Sequence, residues 1–192
     1  MSNKVEAKQA TKRRALPGDP DRRERLERIL RVDLAGEYGA RRIYEGQLAV
    51  LGRSKAAPTI REMWEQEAKH LEYFEKAVPK HRVRPTALQP AWHVAGFALG
   101  AVTALMGEKA AMACTVAVEE VIDEHYASQA EQLSDEGEEG ELKRAIQEFR
   151  EDEIEHRNTG LAHGAEETVA YEGLTTVIKA GSRLAIWLSE RY

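Results

Sequence analysis

Apolar residues recur at helical spacing along most of the chain, in stripes that short polar breaks separate. The first stripe starts near Asp21 and ends at the run GRSKAAP (52–58), which is typical of a turn. The second stripe covers 60–78 and is stopped by Pro79. These two stripes predict a pair of helices joined by a short turn.

Three further helices are predicted in the second half of the chain. They cover 108–133, a stretch around 146–154, and 168–190, and the acidic run SDEGEEG (134–140) separates the first two. The chain is therefore predicted to be all-α, as a ferritin-like four-helix bundle with two accessory helices. A single domain over 21–192 follows a basic N-terminal arm, 1–20, which we expect to be disordered.

The segment 85–107 contains no Asp, Glu, Lys or Arg. Its part after Pro90 is shorter than the roughly 20 apolar residues that a membrane span needs. It predicts an accessory helix that either packs on the bundle, with most of its surface buried, or lies on a bilayer with Phe97 and Leu99 toward the lipid. Gly96 and Gly100 are spaced for close packing against another helix.

Charge and cysteine content limit the cofactors and binding partners to be expected. The formal net charge is −5. Because Cys114 is the single cysteine, neither a disulfide framework nor a CxxC redox pair is available. Residues 1–31 carry ten basic and five acidic side chains, a net of +5 that suits an anionic surface. No secretory signal is recognised, and we expect no nucleic acid partner.

Four glutamates lie inside the apolar stripes: Glu37, Glu67, Glu119 and Glu153. A buried, unpaired carboxylate is strongly unfavourable, and four together repel one another. A pair of divalent cations resolves both problems, because each carboxylate then becomes a ligand. Two of the glutamates start ExxH motifs, which place His70 and His156 on the same helix faces. A single ExxH motif is weak evidence, since a Glu-rich chain contains it by chance.

The spacing of these residues supports a common site. Glu37 and Glu67 are equidistant from the turn at Gly52, and Glu119 and Glu153 are equidistant from the run 134–140. In antiparallel hairpins, residues equidistant from the turn lie at the same height. Mixed carboxylate and imidazole ligation suits iron or manganese. The predicted ligands are Glu37, Glu67, His70, Glu119, Glu153 and His156.

The two halves of the chain resemble each other, which predicts a duplicated helical hairpin. Tyr44 and Tyr126 each follow the lone glutamate of their half by seven residues, and Gln47 and Gln129 follow it by ten. Each half supplies one glutamate and one ExxH motif, which is the ligand set of ferritin-like dimetal sites. Tyr44, Tyr126, Arg28, His125, His163 and Arg183 are candidates to line the pocket or support the ligands, with a purely structural or surface role equally open.

Several long strings resemble the 5-demethoxyubiquinone hydroxylase family of ubiquinone biosynthesis, from about residue 21 to the C-terminus. They are RVDLAGEYGA (31–40), MWEQEAKHL (63–71), RVRPT (82–86), ACTVAVEE (113–120), EIEHRNTGLAHGAE (153–166) and AIWLSERY (185–192). The resemblance implies the same six ligands, with Glu119 rather than Glu120, for two iron ions per chain. It also implies that the two ExxH glutamates bridge the irons, while Glu37 and Glu119 bind one each.

The resemblance further implies dioxygen-dependent hydroxylation of a polyprenylated methoxy-benzoquinol, with NADH as the electron donor. A lipid-binding partner protein of the same pathway is expected. Because the tail of such a substrate lives in a bilayer, we expect the protein at a membrane surface, bound through 85–107. We place it on the cytoplasmic face of the cell membrane, with the matrix face of the mitochondrial inner membrane as the alternative. The rival functions are iron storage or ferroxidation and another diiron oxidase activity.

Overall fold

The computed structural model describes residues 20–192, and this part of the chain is helical without strands. A short 3-10 helix (Ala165–Glu167) precedes the last α-helix. The α-helices are α1 (Arg22–Leu51), α2 (Ala57–Lys80), α3 (Gln89–Leu105), α4 (Glu108–Gln132), α5 (Gly137–Ala162) and α6 (Tyr171–Ser189). The predicted arm, 1–20, lies outside the described residues except for Pro20. Its disorder and the domain bounds remain predictions.

Local sequence explains most of the helix ends. Asp21 caps α1 through a reciprocal pair of hydrogen bonds with Glu24, so this helix begins where the sequence predicts. α2 continues one residue past Pro79, because the His81 N–H still bonds the carbonyl of Ala77 and closes the last turn. α6 starts three residues later than predicted, after Ala170 in a left-handed conformation.

Two helical hairpins form the bundle. α1 packs on α2 and α4 packs on α5, while α3 covers α1 and α6 covers α4. The predicted ferritin-like bundle with two accessory helices is therefore confirmed. The link between α3 and α4 is very short, and Gly107 makes it possible by adopting φ +119°, a conformation that side chains rarely permit.

Two apolar clusters fill the bundle above and below one charged layer. The lower cluster includes Leu30, Phe74 and Ile146, and the upper cluster includes Ile60 and Met112. All five of these side chains are fully buried. The layer between the clusters, which holds the predicted metal ligands, is thus closed off from water on two sides.

Small residues bring α3 against α1, as the spacing of Gly96 and Gly100 predicts. A Cβ on Gly100 would lie 1.9 Å from the backbone oxygen of Ile43, and a Cβ on Gly46 would lie 2.2 Å from that of Phe97. The two backbones approach so closely that neither position has room for a side chain.

Most of the α3 surface remains exposed, so the expectation of a mainly buried helix is wrong. Only Gly100, Thr103 and Ala104 are buried on α3. The lipid contact expected for Phe97 and Leu99 stays a prediction. Both side chains are half-buried, Phe97 under the Arg42 guanidinium and Leu99 against an apolar cluster. A helix with apolar residues on every side has no periodicity from which its buried face could be predicted. Within 20–192, no helix combines the length and apolarity required to cross a membrane.

Candidate metal centre

The four bundle helices bring all six predicted ligands into one layer. α1 contributes Glu37, α2 contributes Glu67 and His70, α4 contributes Glu119, and α5 contributes Glu153 and His156. Every one of them is buried, with at most 3% of its surface exposed. Matched heights in two antiparallel hairpins are what the spacing from the turns predicts.

The six side chains form two overlapping groups. One contains Glu37, Glu67, His70 and Glu153, and the other contains Glu67, Glu119, Glu153 and His156. Within each group the potential ligand atoms lie within 4.8 Å of one another. Glu67 and Glu153 belong to both groups, whereas Glu37 and Glu119 each belong to one. This arrangement fits two cations that share two carboxylates and have one further carboxylate and one imidazole each.

Both imidazoles turn Nδ1 toward the carboxylates. His70 Nδ1 lies 3.2 Å from Glu153 Oε1 and 3.5 Å from Glu37 Oε2. His156 Nδ1 lies 3.1 Å from Glu153 Oε2 and 3.3 Å from Glu67 Oε1. Nδ1 is therefore the nitrogen that each histidine would offer to a metal ion.

The other ring nitrogen of each histidine is held by a residue that the sequence pattern did not predict. His70 Nε2 lies 3.0 Å from Asp152 Oδ2, and His156 Nε2 lies 2.7 Å from Gln66 Oε1. An N–H at Nε2 that donates to these oxygens leaves the Nδ1 lone pair free for a metal. Gln66 and Asp152 each directly precede a motif glutamate in the sequence, and this shared position is the signal that could have identified them.

Two buried tyrosines support the lone glutamates across the halves of the bundle. Tyr44 in the first half donates to Glu119 Oε1 at 2.8 Å, and Tyr126 in the second half donates to Glu37 Oε1. The matched spacing of the two tyrosines in the sequence thus corresponds to matched contacts. Each hydrogen bond fixes one oxygen of the glutamate and leaves the other directed into the ligand group.

Several buried ligand atoms have no hydrogen-bond partner. They are Glu37 Oε2, Glu119 Oε2, His70 Nδ1 and both carboxylate oxygens of Glu67. An unpartnered carboxylate in a dry core is costly. A pair of cations bound by these atoms would remove that cost, so the side chains fit a dimetal centre.

The electrostatics of the layer lead to the same conclusion. Burial, followed by repulsion from Glu153, raises the pKa of Glu67 and of Glu119 well above the usual range for a carboxyl group. Burial also opposes the charge of Glu153, but His156 and His70 outweigh it and lower the pKa of Glu153 to about 2. Despite burial, the carboxylates of Glu153 and Glu37 raise the pKa of His70 to about 12. A cation bound at this site would therefore displace protons.

Other candidates lie away from the centre. Glu120 pairs with Lys179, which supports Glu119 as the inward glutamate. His163 is exposed at the end of α5, which favours the surface role that the sequence left open for it. Arg183 pairs with Glu124 on the surface and does not line the centre.

An apolar groove runs between α3 and α6, over the helices that carry Glu37 and Glu119. Its volume is about 310 Å³, and we call it the α3–α6 groove. Gly36 and Gly39 form part of its floor, and a Cβ on either would meet nothing within 4 Å. Trp92 Nε1 donates to Ser189 Oγ at 3.0 Å, which joins the start of α3 to the end of α6.

Comparisons with known proteins agree with this geometry. The model of the family described as ubiquinone biosynthesis protein COQ7 matches residues 24–189. A Rhodospirillum rubrum protein named 3-demethoxyubiquinol 3-hydroxylase is 57% identical over 92% of this chain and 82% of its own length. A Homo sapiens protein named NADPH-dependent 3-demethoxyubiquinone 3-hydroxylase, mitochondrial, is 54% identical over 88% and 79%. A Saccharomyces cerevisiae protein named 5-demethoxyubiquinone hydroxylase, mitochondrial, is 42% identical over 86% and 78%.

Proposed function

This chain belongs to the COQ7 family of ubiquinone biosynthesis proteins, and we propose from that premise that it is a diiron monooxygenase acting on demethoxyubiquinol. The names of its relatives support ring hydroxylation and give no support to iron storage. The observation that carries the metal assignment is the pair of overlapping ligand groups, in which Glu67 and Glu153 are shared.

In the reaction, a ring C–H bond, dioxygen, two electrons and two protons become a ring C–OH and water. Two ferrous ions, when bound, would activate dioxygen and pass the electrons to it. Glu67 and Glu153, which belong to both ligand groups, would serve both ions, whereas Glu37 and Glu119 would each serve one. Tyr44 and Tyr126 orient the carboxylates of Glu119 and Glu37. The apolar clusters keep bulk water away from the reacting atoms.

The substrate has an aromatic ring and a long apolar tail, and the α3–α6 groove suits both. Apart from Ser182, its lining residues are apolar or glycine, and Gly36 on its floor directly precedes Glu37 in the sequence. Glycine at Gly36 and Gly39 leaves space above α1 for a flat ring. We place the quinol head in this groove, with the tail leaving between α3 and α6.

A reduced nicotinamide nucleotide is the electron donor in this proposal. The family resemblance suggests NADH, whereas the human relative is named for NADPH. Oxidation of each nucleotide by the iron-loaded protein, with and without the quinone, would identify the preferred donor. Equal and negligible oxidation of both would exclude direct reduction by a nicotinamide.

We place the protein on a membrane surface through exposed apolar side chains of α3 and α6. Val94, Val102 and Leu105 on α3 are 65%, 56% and 74% exposed, and Leu184 and Trp187 on α6 are also exposed. These five residues extend the apolar mouth of the α3–α6 groove toward a bilayer.

Flotation with liposomes tests this surface. We expect the wild-type protein to float and the double variant Val102→Glu, Leu105→Glu to remain unbound. Gln147→Glu adds a negative charge to exposed α5 on another side of the bundle and should float like the wild type. Flotation of the double variant at the wild-type level would exclude this face.

The membrane face and the partner protein rest on the family resemblance. We place the chain on the cytoplasmic face of the cell membrane, with the mitochondrial matrix face as the alternative, and expect a lipid-binding partner from the same pathway. Protease protection of the membrane-bound protein in sealed vesicles of known orientation would decide the face.

Turnover is the direct test of the activity. The protein would be given ferrous iron, dioxygen, a reduced nicotinamide and a demethoxyquinone, and the product would be weighed by mass spectrometry. We expect a gain of one oxygen atom, and no gain with Glu119→Ala. Consumption of ferrous iron and dioxygen without a hydroxylated product would favour ferroxidation instead.

A further inference from the structure

A second buried polar group lies beside the candidate centre. It consists of Asp33, His125 and Gln129, and we call it the Asp33 cluster. Gln129 Nε2 donates to Asp33 Oδ1 at 2.7 Å, and His125 Nε2 lies 2.8 Å from Gln129 Nε2 and 3.6 Å from Asp33 Oδ1. Asp33 is only 3% exposed, and its Oδ2 has no hydrogen-bond partner. An unpaired oxygen on a buried carboxyl group is unfavourable for folding, which suggests a functional role for Asp33.

The Asp33 cluster lies between solvent and the candidate centre. On the outside, His125 and Gln129 line a surface cleft of about 230 Å³ that also contains Arg28. On the inside, Asp33 lies one helical turn before Glu37 on α1. Tyr126, the residue after His125, donates to Glu37. Polar groups thus lie between the cleft and the Glu37 side of the centre.

The other half of the bundle has no equivalent of this cluster. Four residues before the lone glutamate, the first half has Asp33 and the second half has Thr115. Six residues after it, the second half has His125 and the first half has the apolar Ile43. Gln47, the counterpart of Gln129, donates to a backbone carbonyl instead. The two halves share the metal ligands but differ in this acid and imidazole pair, so bundle packing alone does not require the pair.

The reaction requires two protons for each turnover, and the apolar clusters exclude water from two sides of the site. We propose that the Asp33 cluster conducts protons from the surface cleft to the Glu37 side of the centre. His125 takes up a proton from the cleft and passes it to Asp33, and Asp33 releases it toward the Glu37 side of the centre. His125 is reprotonated from solvent before the second transfer. The electrons come from the reduced nicotinamide. This role rests on the hydroxylase function proposed above.

The surroundings of Asp33 suit a proton carrier. Burial raises its pKa, while His125 and Gln129 partly offset that rise. A carboxyl group with a raised pKa keeps its proton nearer to neutral pH, where it can be passed on. The ionisable groups that face Asp33 are Glu37 on α1, Tyr73 on α2, and His125 and Tyr126 on α4. His125 is the one of them with access to the cleft.

Isosteric replacement tests the route during turnover. Asp33→Asn should keep two irons but lower kcat by roughly 10²-fold, the usual contribution of a positioned acid. The solvent deuterium isotope effect should increase, and more dioxygen should end as hydrogen peroxide instead of product. Thr115→Val, at the equivalent position of the other half, should match the wild type in all three measurements. Wild-type values for Asp33→Asn, or a loss of iron along with rate, would overturn the proposal.

His125→Ala offers a second, chemical test. It should be as slow as Asp33→Asn, and added imidazole should restore part of its rate by occupying the cleft. A packing defect would not respond to imidazole, so an unchanged rate at high imidazole contradicts the route.

A redox-inert ion separates this proposal from the hydroxylase function. Zinc binding to the metal-free full chain should release protons from the buried ligands. Stopped-flow recording with a pH indicator should show proton release in step with zinc binding for wild type. In His125→Ala the rate of proton release should be about tenfold lower or more, and added imidazole should raise it. An equal rate in both proteins refutes the route. Absence of hydroxylated product with wild type would instead reject the proposed function, and it would leave the zinc result unaffected.

Discussion

Removal of one buried charge should stabilise the metal-free protein, although it removes a ligand. Glu67 is fully buried, and neither of its carboxylate oxygens has a hydrogen-bond partner. Burial and the charges of Glu153 and Glu37 raise its pKa well above that of an exposed carboxyl. The folded state therefore binds this proton more tightly than the unfolded state does. The resulting stability is complete below the unfolded pKa, near 4.5, and is lost as the pH rises toward the folded pKa.

The expected gain in the free energy of unfolding follows from two costs of burying Glu67. Each pKa unit of upward shift costs about 1.4 kcal/mol once the pH exceeds both values. An unpartnered buried polar group costs about 1–3 kcal/mol. Glu67→Gln removes the first cost completely and can reduce the second, because its amide N–H can donate to Glu153. We expect a gain of at least about 1 kcal/mol at neutral pH, which corresponds to roughly 2–4 °C in Tm for a domain of this size.

Thermal unfolding of the metal-free protein between pH 5 and pH 8 measures this gain in Tm. The wild type should lose stability as the pH rises, and Glu67→Gln should lose less. Ferrous iron under argon should reverse the order, because an ion at 100 times its Kd adds about 2.7 kcal/mol only where the site is intact. Glu75→Gln, on the exposed face of the same helix, is the control and should follow the wild type. A lower Tm for metal-free Glu67→Gln with an unchanged pH slope would refute the reasoning.

Three further predictions concern the groove, the packing of α3 and the cysteine. Gly36→Leu should stabilise α1 by about 0.5–1 kcal/mol and fill the α3–α6 groove, so kcat/KM should fall at least ~10-fold, or about 1.4 kcal/mol. Gly173→Leu, where an added Cβ also meets nothing within 4 Å, should stabilise the protein equally and keep full activity. Gly100→Val should lower the free energy of unfolding, measured by urea denaturation, by about 1–3 kcal/mol, because its side chain would collide with the Ile43 carbonyl. An unchanged urea midpoint would contradict the α1–α3 packing. Burial raises the pKa of the Cys114 thiol to about 12, so it should react with a thiol reagent only in denaturant; rapid labelling of the native protein would show otherwise.

The height of the ligand layer is predictable from the sequence, whereas its supporting contacts are not. Equal distances from two turns determine which residues meet in antiparallel hairpins, so the spacing alone matches Glu37 with Glu67. Which side chain holds the far nitrogen of a histidine depends on packing between α2 and α5. For that reason the sequence pattern does not predict the contacts of Gln66 and Asp152, although both occupy the same place in their motifs.

The accessory helix shows a second limit of the sequence. Its alternation of Gly, Ala and larger apolar residues predicts helix formation and close contact, and both occur at Gly100. The same composition cannot indicate which face is covered. Phe97, which we expect toward lipid, is half-buried with Arg42 stacked over its ring, whereas Val102 is exposed.

The number of ferrous ions that the chain binds is the direct test of the dimetal centre. Anaerobic titration of the metal-free protein, followed by Mössbauer spectroscopy with ⁵⁷Fe, would count the ions and compare their environments. We predict saturation at two ions per chain for wild type and for Glu120→Ala, whose carboxylate pairs with Lys179 outside the layer. Glu119→Ala should lose tight binding of one ion. Saturation at one ion or fewer for wild type, or two equally tight ions in Glu119→Ala, would contradict it.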